Sequence, residues 1–326
     1  MKIHYLSYGK YITGGFLHEK FYAESLLNLI QKRQQDVELI QIRPESYFEG
    51  PVEHLKMLIK AYQQATGDIN ILVSRYALPA LFKALFTKNK YILVMHYEDH
   101  RDGNSVVFRW YFKLFYLLLN LFKPKNFSIL TVAPFWRTYF QKKCPATAIL
   151  YFPNLFDVEI LQSYKQNKNA KLIHLGQWSW KNDKQIFQLA EMLYDHGYSC
   201  YFSSNKAQEA GVFKYYSIVS ESYEAYLTRM SSAMYTIAFT AINEGWNRVA
   251  HESIIVGTPV IGFHKGGLAD LLIDSNSIIV NDAENALKLI LMNEKSTLND
   301  SFINKYSIQN ISSFLNESEI FLKPSK

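Results

Sequence analysis

Glu244 and Glu252 stand eight residues apart in NEGWNRVAHESIIVGTPVIGFHKGGLADLL, the segment from Asn243 to Leu272. Placed on one helix, that spacing is a little over two turns, so the carboxylates fall within about 80° of each other and roughly 12 Å apart along the axis. One ligand could span both.

The neighbouring residues define the elements that must hold the pair. Thr236 to Thr240, TIAFT, reads as a short buried strand, and Asn243 and Gly245 supply turn and cap chemistry. Arg248 to Val256 follow an apolar-rich helical pattern that Gly257 ends. Thr258-Pro259 restarts the chain as the strand VIGF, Val260 to Phe263, and Lys265-Gly266-Gly267 turns it into a further helix. Strand, loop, helix, strand, loop puts Glu244 at the mouth of a parallel α/β sheet, with a helix N-terminus toward any bound anion.

In this arrangement the segment resembles the signature of retaining glycosyltransferases of the GT-B fold, the family 4 group in particular. That signature reads Glu-Gly-Phe-Gly, four residues, Glu, then Gly-Thr-Pro-Val and a later Gly-Gly. The chain departs from it at Trp246, in place of the phenylalanine, and at Asn247, in place of a glycine. The resemblance implies an α/β architecture of two Rossmann-like domains with a donor cleft between them, and a nucleotide diphosphate-sugar as substrate. It assigns Glu252 to the ribose hydroxyls and Glu244 to the donor sugar. The amides of Gly245, Trp246 and Asn247 would bind sugar hydroxyls, and Arg248 is a candidate cation for the diphosphate. No cofactor and no metal are implied, and no Asp-x-Asp motif occurs in the chain.

Further matches follow the same order along the chain. YITGGFL places Gly14-Gly15 between a first strand and a helix, where two glycines let backbone approach a phosphate. YILVMHYEDH ends a buried run at His96, which by resemblance sits beside the transferred sugar and the acceptor; Glu98, Asp99 and His100 are rivals. KLIHLGQWSWKNDK resembles a strand-Gly-Arg-Leu, loop, Lys segment whose cations neutralise the diphosphate. Gly176 keeps its place, Gln177 stands at the arginine and Asn182 at the lysine, with Lys181 and Lys184 on either side. ILTVAPFWRTYF and FPNLFD match a strand-helix unit and a domain-junction turn, with Ala133 and Leu155 at positions usually serine and glycine.

The 326 residues suffice for two domains, and apolar runs alternating with helical patterns recur through both halves. The proline turn ending at Asp157 divides them, giving residues 1–157 as the acceptor domain and 158–326 as the donor domain. A last apolar-periodic helix, Ser307 to Leu322, either stays on the second domain or crosses back to the first. Cys144 and Cys200 have no metal-ligand or disulfide spacing, and the start MKIHYLSYG lacks a long apolar leader, so a reducing, cytoplasmic setting is expected.

Charge is unevenly spread. Residues 1–155 carry 20 Lys/Arg against 11 Asp/Glu, and residues 156–326 carry 15 against 18. No acidic residue occurs from Gly103 to Phe156. Within that stretch, Val106 to Phe122, VVFRWYFKLFYLLLNLF, is too short and too charged for a membrane span. It fits an interfacial helix on an anionic bilayer, or else a helix buried against the sheet. The expected function is transfer of a sugar from a nucleotide diphosphate-sugar to a glycan or lipid-linked acceptor in envelope or exopolysaccharide synthesis, by a cytoplasmic protein peripheral on the inner face of the cell membrane. A nucleotide-sugar 2-epimerase and a catalytically inactive sugar-nucleotide-binding relative remain alternatives. Nucleic acid, although also attracted by basic surface, is the least favoured partner.

Overall fold

The computed structural model describes residues 1–7, 14–32, 36–42, 51–96, 106–294 and 299–323. They form two compact units, residues 1–154 with 311–326, and residues 155–310.

The first unit runs β1 (Lys2–Leu6), α1 (Gly14–Gln31), β2 (Glu38–Ile42), α2 (Pro51–Gln64), β3 (Ile69–Val73), α3 (Ala77–Phe86), β4 (Lys90–Val94), α4 (Val106–Phe122), β5 (Phe127–Thr131), α5 (Pro134–Lys143) and β6 (Ala148–Tyr151). Its sheet has the order β2-β1-β3-β4-β5-β6, with every pairing parallel. Strands β3 and β5 are buried along their whole length, as the mainly apolar runs INILV and FSILT suit strands covered on both faces, and the buried Asn70 of INILV is satisfied by the Gly67 backbone.

The second unit runs α6 (Val158–Gln162), β7 (Asn169–Gln177), α7 (Lys184–Asp195), β8 (Ser199–Ser204), β9 (Gly211–Val212), β10 (Ser217–Ser220), α8 (Tyr223–Ser232), β11 (Ala233–Ala238), α9 (Arg248–Ile255), β12 (Val260–Phe263), α10 (Gly266–Asp274), β13 (Ile278–Val280), α11 (Ala283–Leu291) and α12 (Asp300–Lys305). Its sheet has the order β13-β12-β11-β7-β8-β10-β9, parallel except for the edge pair β9 and β10. The core lies between β7, β8, β11 and β12 and the apolar faces of α7 and α11.

The closing helix α13 (Ile311–Leu322) belongs to the first unit. Tyr22 and Ser318 share a hydrogen bond of 2.8 Å, Arg137 pairs with Glu317 at 2.7 Å, and Leu315 is buried.

A buried polar ladder crosses the second sheet. His174 on β7 bonds Ser203 through Nε2 at 2.9 Å and Thr236 through Nδ1 at 3.1 Å. Ser253 of α9 donates to the same Thr236 hydroxyl at 2.7 Å. Burial pushes the His174 imidazole down to about 3, from an ordinary 6.5. The unfolded chain therefore binds a proton, as pH falls below 6.5, that the folded chain refuses until about 3. Stability should fall across that window by up to about 1.4 kcal/mol per pH unit for this group. Denaturant midpoints measured from pH 7 to 5 should show it, and His174→Gln should flatten the slope by about one proton; an unchanged slope would mean that the ring is protonated in the fold.

Candidate functional site

In the second unit, β7 is followed by its neighbour β8 on one side, while β11 lies on its other side. The carboxyl ends of β7 and β11 thus form the switch point at which open parallel sheets receive ligands. Of the sequence-predicted residues, Gly176, Lys181 and Glu244 gather there.

Gly176, the last residue but one of β7, has φ of +76°, and Ile237 O lies 3.1 Å from where a Cβ would stand. The loop that follows closes on itself. Asn182 donates from Nδ2 to Gln177 O at 3.2 Å and accepts from Ser179 N at 2.7 Å. The two positions where cations were expected therefore shape the loop. That loop is zipped to the end of β11: Ala241 N donates to Lys181 O at 2.7 Å, and Asp183 N to Phe239 O at 3.0 Å.

This pairing brings Lys181 to Glu244, Nζ to Oε2 at 3.5 Å, with both side chains largely buried. Thr240 Oγ1 lies 3.5 Å from the other carboxylate oxygen. Lys265, just past β12, donates to Thr240 O at 2.8 Å and reaches Asp183 at 3.4 Å. Two ammonium groups and two carboxylates therefore occupy the ends of β7, β11 and β12. Lys184, at the start of α7, is exposed to solvent.

The helix expected from Arg248 forms there and carries Glu252 but not Glu244, so the spacing of the pair along one helix does not apply. Helix α9 begins only at Arg248, because Asn247 caps it by accepting from Ala250 N at 2.9 Å. Glu244 lies in the preceding loop and forms a parallel β-bridge with Gly266. Its carbonyl accepts from Gly267 N at 2.8 Å. The pair Gly266-Gly267 is accordingly the first turn of α10 and not a loop before it.

Glu252 is buried and saturated. Its Oε1 accepts from Arg248 Nε at 2.7 Å and Tyr223 at 2.8 Å, and its Oε2 from Tyr226 at 3.0 Å. Burial first, and then the Glu252 charge, raise both phenols, so they remain donors. Arg248, considered above as a diphosphate cation, is engaged by this carboxylate and lies 5.0 Å over the Phe156 ring. Trp246 turns inward: its indole donates to His251 Nδ1 at 3.0 Å, among Phe156, Phe302 and Tyr306. Burial, and secondarily Arg248, push the His251 imidazole down to about 3. Gly245 is buried beside Trp246.

In the first unit, His96 follows β4 and bonds Glu19 Oε1 through Nε2 at 3.1 Å. Tyr5 donates to the other Glu19 oxygen at 2.9 Å. A carboxylate partner on Nε2 calls for a proton there, so that in a neutral ring Nδ1 is the acceptor. Gly14 and Gly15 are the opening residues of α1 and not a loop ahead of it. Tyr11, Glu98, Asp99 and His100 lie outside the described residues.

Sequence reasoning missed Lys265, Asp183, Glu19, Tyr223 and Tyr226 as site residues. The tyrosines stand three apart on one helix, the spacing that aligns two hydroxyls on a face, and Lys265 follows the carboxyl end of a parallel strand. Among the described residues, no cluster of three His, Cys, Asp or Glu could hold a metal ion.

Gly266 has φ of +55°, and a Cβ there would stand 2.6 Å from Glu244 O. Gly266→Ala should cost at least about 2 kcal/mol, through the left-handed backbone and the clash. Urea unfolding checks this, and a variant as stable as wild type would show that the bridge to Glu244 does not form.

No protein-family model matches the chain, and no curated protein matches its sequence. Solved structures do match its fold. A glycosyltransferase from Rickettsia africae superposes with a TM-score of 0.68 at 13% identity, over 99% of both chains. HepE of Anabaena, in complex with UDP, gives 0.65 at 14% identity, over 98% of this chain and 100% of that one; its UDP-glucose complex also matches, with a TM-score of 0.61. WaaG, a glycosyltransferase of lipopolysaccharide biosynthesis, gives 0.59 at 12% identity, over 98% of each chain. The fold is GT-B, with two parallel-sheet α/β domains.

Proposed function

We propose that this chain is a retaining glycosyltransferase that moves a hexose or related sugar from a nucleoside diphosphate donor to an acceptor hydroxyl. The observation that carries the reading is the convergence of Lys181 and Lys265 on Glu244 and Thr240 at the switch point of a GT-B donor-type sheet. The UDP and UDP-glucose complexes of HepE, which has the same fold, support a nucleotide-sugar donor.

In this reading the bond from the anomeric carbon to the diphosphate breaks while the bond to the acceptor oxygen forms on the same face. The acceptor proton passes to the departing phosphate. Negative charge grows on the diphosphate, and the two lysine ammonium groups meet it where solvent is partly excluded. Glu244, fixed by backbone pairing, faces the sugar, and Glu252 organises the nucleoside end through Arg248, Tyr223 and Tyr226. His96, oriented by Glu19, presents Nδ1 to the acceptor hydroxyl. The acceptor is a lipid-linked or envelope glycan, and the protein works in the cytoplasm, peripheral on the inner face of the cell membrane.

Incubation with a panel of nucleotide sugars, with and without membrane extract, tests the reaction by released nucleoside diphosphate. Extract-dependent release supports it, whereas epimerised donor of unchanged mass, or no turnover with any donor, overturns it. Glu252→Gln should chiefly raise the donor KM and Glu244→Gln chiefly lower kcat, each by about 10- to 100-fold, the value of one charged hydrogen bond. His96→Ala should depress transfer with little change in donor affinity. Wild-type kinetics in all three would remove the site assignment.

A further inference from the structure

The right-handed crossovers β2 to β3, β3 to β4 and β4 to β5 all run in one direction along the first sheet, so α2, α3 and α4 lie side by side on one of its faces. Ring contacts confirm the packing: His54 of α2 meets Phe108 of α4 at 5.2 Å, and Lys83 of α3 covers Tyr62 of α2 at 4.6 Å.

The outward sides of these helices are apolar. On α4, Phe112, Phe115, Tyr116 and Leu119 face the sheet. The opposite side carries a second apolar stripe, Val107, Trp110, Leu114, Leu117 and Leu121, at spacings of three and four residues, with Trp110 66% and Leu121 67% exposed. Helix α2 repeats the pattern with Val52, Leu55 and Ile59, all more than half exposed, and α3 adds Phe86 at 77%. An isolated exposed leucine needs no explanation, but aligned stripes on adjacent helices do.

The charges on the same helices are positive with one exception. Glu53 is the only carboxylate of α2, α3 and α4, against Lys56, Lys60, Lys83, Arg109 and Lys113. Lys123 and Lys125 follow α4 directly and are exposed. Lys113 folds over the Trp110 ring at 4.9 Å, which carries its ammonium beside the apolar stripe. Among the described residues no helix is long and apolar enough to cross a membrane.

We infer that the joint face of α2, α3 and α4 docks this protein on a lipid bilayer bearing acidic headgroups. The stripes enter the headgroup and acyl boundary, and the lysines and arginine pair with lipid phosphates around them. A second copy of this chain would meet the same cations and be repelled, whereas an anionic bilayer satisfies both the apolar and the basic parts. The inference gives a place to the lipid-linked acceptor proposed above and rests on that reading only for its purpose.

Co-sedimentation with vesicles of phosphatidylcholine and phosphatidylglycerol, against phosphatidylcholine alone, tests it without any nucleotide sugar. Binding should need the acidic lipid and weaken severalfold as salt rises. Lys56→Glu with Lys60→Glu on α2, and Lys113→Glu with Lys125→Glu at α4, should each lower partitioning on the order of tenfold. Leu117→Glu with Leu121→Glu should abolish it, with circular dichroism unchanged. No binding by folded wild-type protein at low salt would overturn the inference, as would a dimer in sedimentation that the leucine variant dissociates. Because binding is read apart from transfer, failure of the surface and failure of the proposed reaction are distinguishable.

Discussion

The contact on which the candidate donor site depends is between two stretches of backbone, Glu244 and Gly266. A side chain cannot be placed at Gly266, since the Glu244 peptide occupies that volume, and the pairing ties the loop after β11 to the first turn of α10. Glu244 is thereby held by its main chain, which leaves the carboxylate to the lysine. A second zipper, from Lys181 O to Ala241 N and from Phe239 O to Asp183 N, ties the loop after β7 to the same place. Three strand ends are joined through main-chain bonds, and the charged side chains are passengers on that frame.

The frame has a neutral, buried polar support beneath it. His174, Thr236 and Ser253 link β7, β11 and α9 through hydroxyl and imidazole bonds, and Ser253 also donates to Thr258 O at 3.0 Å. A buried polar network is worth its desolvation only when its members are satisfied, and each of these side chains has a partner. His251 stands differently. Trp246 takes its Nδ1, and no hydrogen-bond partner for Nε2 is found among the described residues. The imidazole is instead enclosed by rings, so the aromatic at the signature's third position anchors the loop from behind.

Much of the fold could be read from the sequence because parallel strands covered on both faces leave short, mainly apolar runs. VIGF, INILV and the helix from Val106 to Phe122 occupy the residues expected of them. Strands β9 and β10 escaped, being two and four residues long at a sheet edge, with Val212 and Phe213 exposed and no alternation to signal them. The start of the helix at Arg248 was legible for a local reason: Asn247 offers a side-chain acceptor to the amides beyond it, which leaves Glu244 in the loop although a spacing of eight would also suit one helix. Long-range partners had no sequence signal at all. Glu19 meets His96 across 77 positions, and Lys265 meets Asp183 across 82.

The departures from the resembled pattern are coherent once the loop after β7 is considered as one object. Asn182, where a lysine was expected, spends its side-chain amide on closing the loop, onto the main-chain carbonyl of Gln177, where an arginine was expected. The closed loop then presents Lys181, while Lys265 arrives from the next strand end but one. Exchanging an arginine for lysines changes the chemistry as well as the address. A guanidinium holds two oxygens in a fixed fork, whereas an ammonium is a compact charge on a flexible stem. In the proposed reaction, two such ammonium groups, each leaning on a carboxylate until a diphosphate draws it away, would follow the charge as it moves from the scissile oxygen into the leaving group. Geometric selection of the donor would then fall less on the phosphates and more on the ends of the site, on Glu244 at the sugar and on the Glu252, Arg248, Tyr223 and Tyr226 cluster at the nucleoside.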